Sequence, residues 1–193
     1  MGKLGFYFDM DSCVGCCACA IACKDRADLP VGNNFRRVLH VETGEYPKAR
    51  WFHLSMACNH CENPACVANC PTGAMFIAED GTVQHDDNVC IGCQTCVMSC
   101  PYGAPQYVES LGIVQKCDSC KPLRDAGMNP VCVDACIQRA LEFGDIEELE
   151  AAHADQTLVN EIPIIAPPDT NPSLRINPKP YALEADEFRF LGL

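Results

Sequence analysis

The sequence predicts an α+β fold of two nested modules with an extended C-terminal arm, and three observations predict it. Sixteen of the 17 cysteines fall into four groups of four with closely related spacings. One phrase, Cys-Pro-x-Gly-Ala, occurs at Cys70–Ala74 and again at Cys100–Ala104, with a strand–turn–strand pattern between the copies. Beyond residue 155 the periodicity fades, and six of the 14 prolines lie between Pro163 and Pro180.

Composition narrows the function classes. The chain has 193 residues, enough for one compact domain or two small ones sharing an interface. Lys and Arg number 14 against 26 Asp and Glu, a formal charge of −12, which argues against nucleic acid and anionic membrane surfaces. Aromatics make up only 7%, thin for a core of this size. Cysteine, at about 9%, reaches the level where cross-links or metal replace part of a core. The longest apolar stretches, such as 162–168, are short and broken by proline, far from the ~20 residues of a membrane span. There is no G-x-G-x-x-G, P-loop or G-x-S-x-G elbow, and so no sign of a substrate site.

The four groups are Cys13, Cys16, Cys19, Cys23; Cys58, Cys61, Cys66, Cys70; Cys90, Cys93, Cys96, Cys100; and Cys117, Cys120, Cys132, Cys136. Disulfide geometry does not demand a repeated spacing of four cysteines. Four-cysteine zinc sites use two C-x2-C knuckles set well apart. Here three groups put four cysteines within 11 to 13 residues. The third group reads C-x2-C-x2-C-x3-C-P, the bacterial ferredoxin run, in which three cysteines hold one [4Fe–4S] cluster and the fourth reaches a different one.

The elements follow in order. Residues 1–9 lack the apolar run of a signal peptide and a twin arginine, and read as a first strand. The first cysteine loop then leads into a hairpin, 36–41 with 50–56, turning near Gly44. The second loop is followed by a hairpin, 74–77 with 82–85, around Glu79-Asp80-Gly81, and the third by 107–109 with 113–116. After the fourth group, Asp145 with Glu148 forms a D-x-x-E variant of the capping box and opens a helix over 146–153. Gly15, Ala18, Ala20, Gly73, Gly92 and Gly103 sit where backbone N–H groups must approach sulfur. The tail reads as an arm laid on a partner, anchored by Ile162, Ile164, Ile165, Leu174, Ile176 and Tyr181. Its removal is therefore expected to leave the cofactors intact.

Four groups can pair sequentially or in a nested way. Only the second and third share the terminal Cys-Pro and the repeated phrase, so like is paired with like. The expected modules are 1–50 with 110–155 outside, 51–109 inside, and 156–193 as the proline-rich arm. With each fourth cysteine crossing over, the expected ligand sets are Cys13, Cys16, Cys19 with Cys136; Cys58, Cys61, Cys66 with Cys100; Cys90, Cys93, Cys96 with Cys70; and Cys117, Cys120, Cys132 with Cys23. Each oxidised cluster with its thiolates adds about −2, which brings the loaded chain near −20.

Several phrases carry a family resemblance: 58–66 (Cys-Asn-His-Cys-Glu-Asn-Pro-Ala-Cys), 89–93, 100–107, 116–120 and 140–145. Over roughly residues 4 to 155 the chain resembles the iron–sulfur electron-transfer subunit of the dimethyl sulfoxide reductase family of molybdopterin oxidoreductases. The resemblance implies the nested pairing. It also implies four [4Fe–4S] clusters, since Cys90, Cys93 and Cys96 are all kept where some relatives have Trp and a three-iron cluster. It implies a molybdopterin catalytic subunit as partner and often a membrane quinone-reactive anchor. A place outside the cytoplasm, reached by co-export with the catalytic subunit, is implied too; a cytoplasmic heterodimer is the alternative. On this reading the chain is no enzyme by itself; the rivals are a free-standing multi-cluster ferredoxin-type carrier and an enzyme with an open cluster.

Other residues have plainer readings. Cys17 is out of register and fills a small apolar space. His60 either tunes a cluster, contacts a partner or is a plain loop residue. Lys24, Arg26, Arg36 and Arg37 form a basic island, by default solvated and otherwise a docking face. Trp51 and Phe52 read as core.

Overall fold

In the computed structural model, residues 2–165, 169–184 and 187–191 are described. The first strand organises the outer half. β1 (Leu4–Asp9) is buried from Gly5 to Phe8 on both faces because it has a neighbour on each edge. β8 (Leu141–Asp145) pairs with it antiparallel and β9 (Leu174–Asn177) parallel. Phe6 therefore stands between Phe143 and Leu174, and Phe8 between Leu141 and Ile176. The close approach of the chain from the tail requires Gly5: a Cβ there would lie 2.3 Å from the Ser173 carbonyl oxygen.

A second sheet joins β2 (Arg37–Thr43) to β3 (Arg50–Met56), with β10 (Phe188–Phe190) on the free edge of β2. Two short hairpins, β4 (Met75–Ile77) with β5 (Val83–His85) and β6 (Gln106–Val108) with β7 (Ile113–Gln115), follow the second and third cysteine loops. The helices are brief. α1 (Ala18–Arg26) packs on α5 (Val131–Asp134), and α2 (Ala65–Ala68) on α3 (Thr95–Ser99). α4 (Lys121–Asp125) lies beyond the fourth C-x2-C, and α6 (Ile146–Ala152) follows β8. The Asp145 carboxylate caps α6 by accepting from Glu147 N–H at 3.0 Å.

Two expectations change here. The apolar residues of the tail face inward: Ile162, Ile165, Leu174 and Ile176 are buried in the chain's own core, and Ile164 and Tyr181 pack against it. They are not exposed anchors, because β9 and β10 extend sheets that would otherwise have open edges. Trp51 is 65% exposed while Phe52 is fully buried, as the side-chain alternation of a strand requires of neighbours.

Candidate cluster-binding sites

The first and third cysteine loops share one local conformation. In Cys13–Cys19 and Cys90–Cys96 the backbone is left-handed at Gly15 and Cys17, and at Gly92 and Gln94. The loop thus curls around its own sulfurs before α1 and α3 begin at the next residue. At Gly15 a Cβ would meet the His53 ring at 2.6 Å, and at Gly92 the Gly112 carbonyl oxygen at 2.3 Å.

Sixteen thiols gather in four places. One small cavity is lined by Cys13, Cys16, Cys19 and Cys136 together with Phe8, Val38 and Leu141. A second is lined by Cys58, Cys61, Cys66 and Cys100, with Tyr102, Val83 and Lys116 in its wall. A third is lined by Cys70, Cys90, Cys93 and Cys96, with Met75 and Val114. Cys23, Cys117, Cys120 and Cys132 are all buried, and the thiols of this set repel one another's negative charge. Among the described residues no three His, Cys, Asp or Glu side chains converge closely enough to hold a single metal ion. The thiols surround cavities instead of meeting at a point, as a polynuclear centre needs and a zinc knuckle does not.

Burial sets the thiols' chemistry. It pushes Cys13, Cys23, Cys61 and Cys96 up to about 11 and Cys66 up to about 12, with repulsion from neighbouring thiols adding to the effect. Such groups are protonated at neutral pH, so taking up iron releases protons from this interior. At two little-buried thiols, donors outweigh burial and the direction reverses. Cys70, slightly raised by burial, is pulled below the ordinary range by N–H groups of Met75, Thr72 and Ala74 and by the Thr72 hydroxyl; Thr95 does the same for Cys93.

Those donors surround the other sulfurs too. Ala140 N–H reaches Cys136 Sγ at 3.2 Å, Ser119 N–H reaches Cys117 Sγ at 3.4 Å, and Met75 N–H reaches Cys70 Sγ at 3.5 Å. Gly15 N–H serves Cys13, and Gly103 N–H serves Cys100. Two hydroxyls join them: Thr170 Oγ1 donates to Cys61 Sγ at 3.2 Å, and Ser55 Oγ lies 3.4 Å from Cys19 Sγ. Thiols, N–H donors and apolar walls together fit iron–sulfur cubanes.

Sequence reasoning missed Thr170 and Ser55. Neither carries a motif: Thr170 sits in the proline-rich tail and Ser55 in an ordinary strand. Other readings resolve differently. His60 is fully buried, its Nδ1 accepting from Val83 N–H at 3.1 Å, and burial beside Lys116, Arg124 and Lys3 holds it well below the usual histidine range. It is an internal brace. The basic island is dispersed: Lys24 Nζ donates to the Pro30 and Asn33 carbonyls, and Arg26 pairs with both Asp118 oxygens at 2.8 and 2.9 Å. Arg37 donates to the Tyr102 carbonyl, and Arg36 is buried. Cys17 is half-buried with its Sγ 3.6 Å from His40 Nε2, so its surroundings are not wholly apolar.

Comparison with known proteins agrees with this geometry. The 4Fe-4S dicluster domain family matches residues 49–146. The B subunit of the anaerobic dimethyl sulfoxide reductase of Haemophilus influenzae is 42% identical over 203 residues, covering 100% of this chain and 98% of its own length. This protein belongs to the iron–sulfur subunits of the dimethyl sulfoxide reductase family. Within that family, the B subunit of the Escherichia coli K12 enzyme is 45% identical, covering 83% of this chain and 82% of its own. The thiosulfate reductase electron transfer subunit of Salmonella typhi is 40% identical, covering 74% and 76%. As an iron–sulfur subunit of this family the chain carries [4Fe–4S] clusters.

Proposed function

We propose that the chain relays single electrons through four [4Fe–4S] clusters, held by Cys13/Cys16/Cys19/Cys136, Cys58/Cys61/Cys66/Cys100, Cys90/Cys93/Cys96/Cys70 and Cys117/Cys120/Cys132/Cys23. Each bound cluster supplies a one-electron couple. The observation that carries the reading is the sorting of the 16 thiols into four sets, three lining cavities and one buried, each with one cysteine from a distant group. The modules follow the same logic: 1–50 with 110–155 outside, where β1 pairs with β8, and 51–109 inside, where α2 meets α3.

We read the sets as a line. Cys19 is close enough to Cys132 to be repelled by it, which joins the first set to the fourth. Cys117 and Cys23 share a core with Cys58, joining the fourth to the second. Cys66 and Cys96 share another with Met75, Val83 and Val114, joining the second to the third. The middle of the line is buried, and thiols surface only at its ends, at Cys16 and Cys93. Val14, Ile21 and Ile137 are exposed around the first end; Val89, Ile91 and Met98 around the other. The protein's own work is to exclude water from the middle, to hold donors on the sulfurs and to fix the spacing.

The partners follow from the family: a molybdopterin catalytic subunit at one end, and a membrane quinone-reactive anchor or soluble carrier at the other. The chain then transfers electrons and makes or breaks no substrate bond. Among the described residues no helix is long and apolar enough to cross a membrane, so membrane association would come through partners, outside the cytoplasm after co-export. A free-standing carrier has no observation in its favour, since the relatives are named as parts of reductases.

Iron and acid-labile sulfide analysis of anaerobically purified protein is expected to give about 16 of each per chain, four cubanes of four. The crossing is tested by EPR of reduced variants. Cys100→Ser should change the same signal as Cys61→Ser; a Cys100→Ser spectrum matching that of Cys93→Ser would refute the wiring.

A further inference from the structure

Arg36 is 2% exposed, and among the described residues no carboxylate lies within ion-pair distance of it. Its guanidinium lies 4.6 Å from the centre of the Phe6 ring. Nη1 donates to Ser55 Oγ at 3.0 Å and to the Ser55 carbonyl at 3.5 Å, while Nε has no partner. A buried cation whose partners are all neutral is strongly disfavoured, because the loss of hydration must be offset by opposite charge nearby. The rest of the surroundings should therefore supply negative charge.

It does so on two sides. Ser55 Oγ, which accepts from Arg36, is 3.4 Å from Cys19 Sγ, so a single hydroxyl links the guanidinium to the first thiol set. The backbone N–H of Arg36 itself faces the Cys23 sulfur, in the fourth set. The side chain lies near the sulfurs of Cys132 and Cys117 as well as those of Cys19 and Cys23, and thiolate charge at these positions, as cluster ligands would carry it, offsets the burial of the guanidinium. One fixed cation thus stands between two sets, each of which would carry about −2 when loaded and oxidised.

We propose that Arg36 is the counter-charge shared by the first and fourth clusters. It raises the reduction potential of both, since each gains negative charge on reduction beside the same cation. Its attraction for each electron also offsets the repulsion between electrons on neighbouring clusters, which lets both be reduced in one relay. Arg36 acts as a positioning and tuning residue and takes no part in bond chemistry. The inference rests on the ligand sets proposed above.

EPR-monitored redox titration of the intact complex tests it, with signals assigned through Cys16→Ser and Cys120→Ser. Arg36→Met is expected to make two of the four midpoint potentials more negative, lowering each reduction constant at least about tenfold, ~59 mV for a one-electron couple. The other two stay where they were. Arg36→Lys keeps the charge and should return most of the shift, which a purely structural role for the guanidinium would not do. Ser55→Ala removes only one link and should move the cluster of Cys19 alone. Four unmoved potentials in Arg36→Met would overturn the proposal, and so would an equal movement of all four. Should Arg36→Met fail to assemble its outer clusters, Ser55→Ala decides: a shift confined to the Cys19 cluster supports the proposal, and none overturns it. Fewer than four signals in the unsubstituted complex would instead sink the four-cluster reading on which it rests.

Discussion

Removing residues 156–193 should collapse the outer half of the chain, not merely release a partner. Ile162, Ile165, Leu174 and Ile176 are each 8% exposed or less. Burying one such side chain contributes ~1.5–3 kcal/mol, so the four together contribute roughly 6–12 kcal/mol. A whole domain is stable by only ~5–15 kcal/mol. Truncation also strips β1 of its parallel neighbour from Phe6 to Asp9, and takes the Thr170 hydroxyl from Cys61. A graded version is Ile176→Ala, expected to cost ~2–5 kcal/mol as a fully buried large-to-small change. Anaerobic urea unfolding reads it directly: with m near 1–3 kcal/mol/M, a loss of about 3 kcal/mol lowers the midpoint by about 1–3 M. EPR of the truncated chain should show the signal of the Cys13 cluster weakened or lost. A truncated chain with every cluster signal and an unchanged urea midpoint would refute the reasoning.

Three further outcomes are expected. Gly92→Ala forces a side chain into a left-handed position, ~1–2 kcal/mol for the backbone alone, and against the Gly112 carbonyl; iron content should fall through selective loss of the signal assigned to Cys93. Thr170→Val removes the hydroxyl on Cys61 Sγ with little change in volume, so the midpoint potential of that cluster should become more negative while urea stability drops by only ~1 kcal/mol. Burial opposes ionisation of Asp80, but hydrogen bonds from Thr82 and the Arg124 guanidinium at 2.9 Å outweigh it and bring its carboxyl down to about 2. Because the folded value lies below the unfolded one, the carboxylate with its Thr82 and Arg124 donors contributes up to ~2 kcal/mol, complete above about pH 5 and lost as pH falls from ~4 towards ~2. The stability gap between the unsubstituted chain and Asp80→Asn should be full at pH 7 and begin to narrow between pH 5 and pH 4, measured by hydrogen exchange; a constant gap would show that the carboxylate is not specially stabilised.

The cysteines were legible because thiol spacing is a local property. A loop of C-x2-C-x2-C has few conformations, and its glycines mark where the backbone must turn left-handed, as Gly15 and Gly92 do. The hairpins were legible to within two residues, since alternation and a Glu-Asp-Gly turn are written in consecutive positions. The tail was misread for the opposite reason. Leu174 and Ile176 alternate like any strand, but nothing local says that their neighbour is β1, more than 160 residues earlier. Proline content suggested an arm, and an arm it is, yet it lies on its own chain. Arg36 shows the same limit. Beside Arg37 it looks like surface charge, and only the approach of β1, α1 and α5 makes it the buried member of the pair.

The two-sided pairing of β1 has a consequence for the order in which the molecule can be built. The strand at residues 4–9 is synthesised well before residues 141–145 and 174–177 and has no complete sheet until both have followed. At ~5–20 residues per second the wait is roughly 10–30 s, during which β1 lacks a partner on one or both edges. The inner hairpins close over short separations and can form meanwhile. The sheet around β1 is thus completed late. Until then this apolar, edge-exposed strand is the stretch on which a holdase or an assembly factor would have most to protect, and residues 174–177 are the ones that close its second edge.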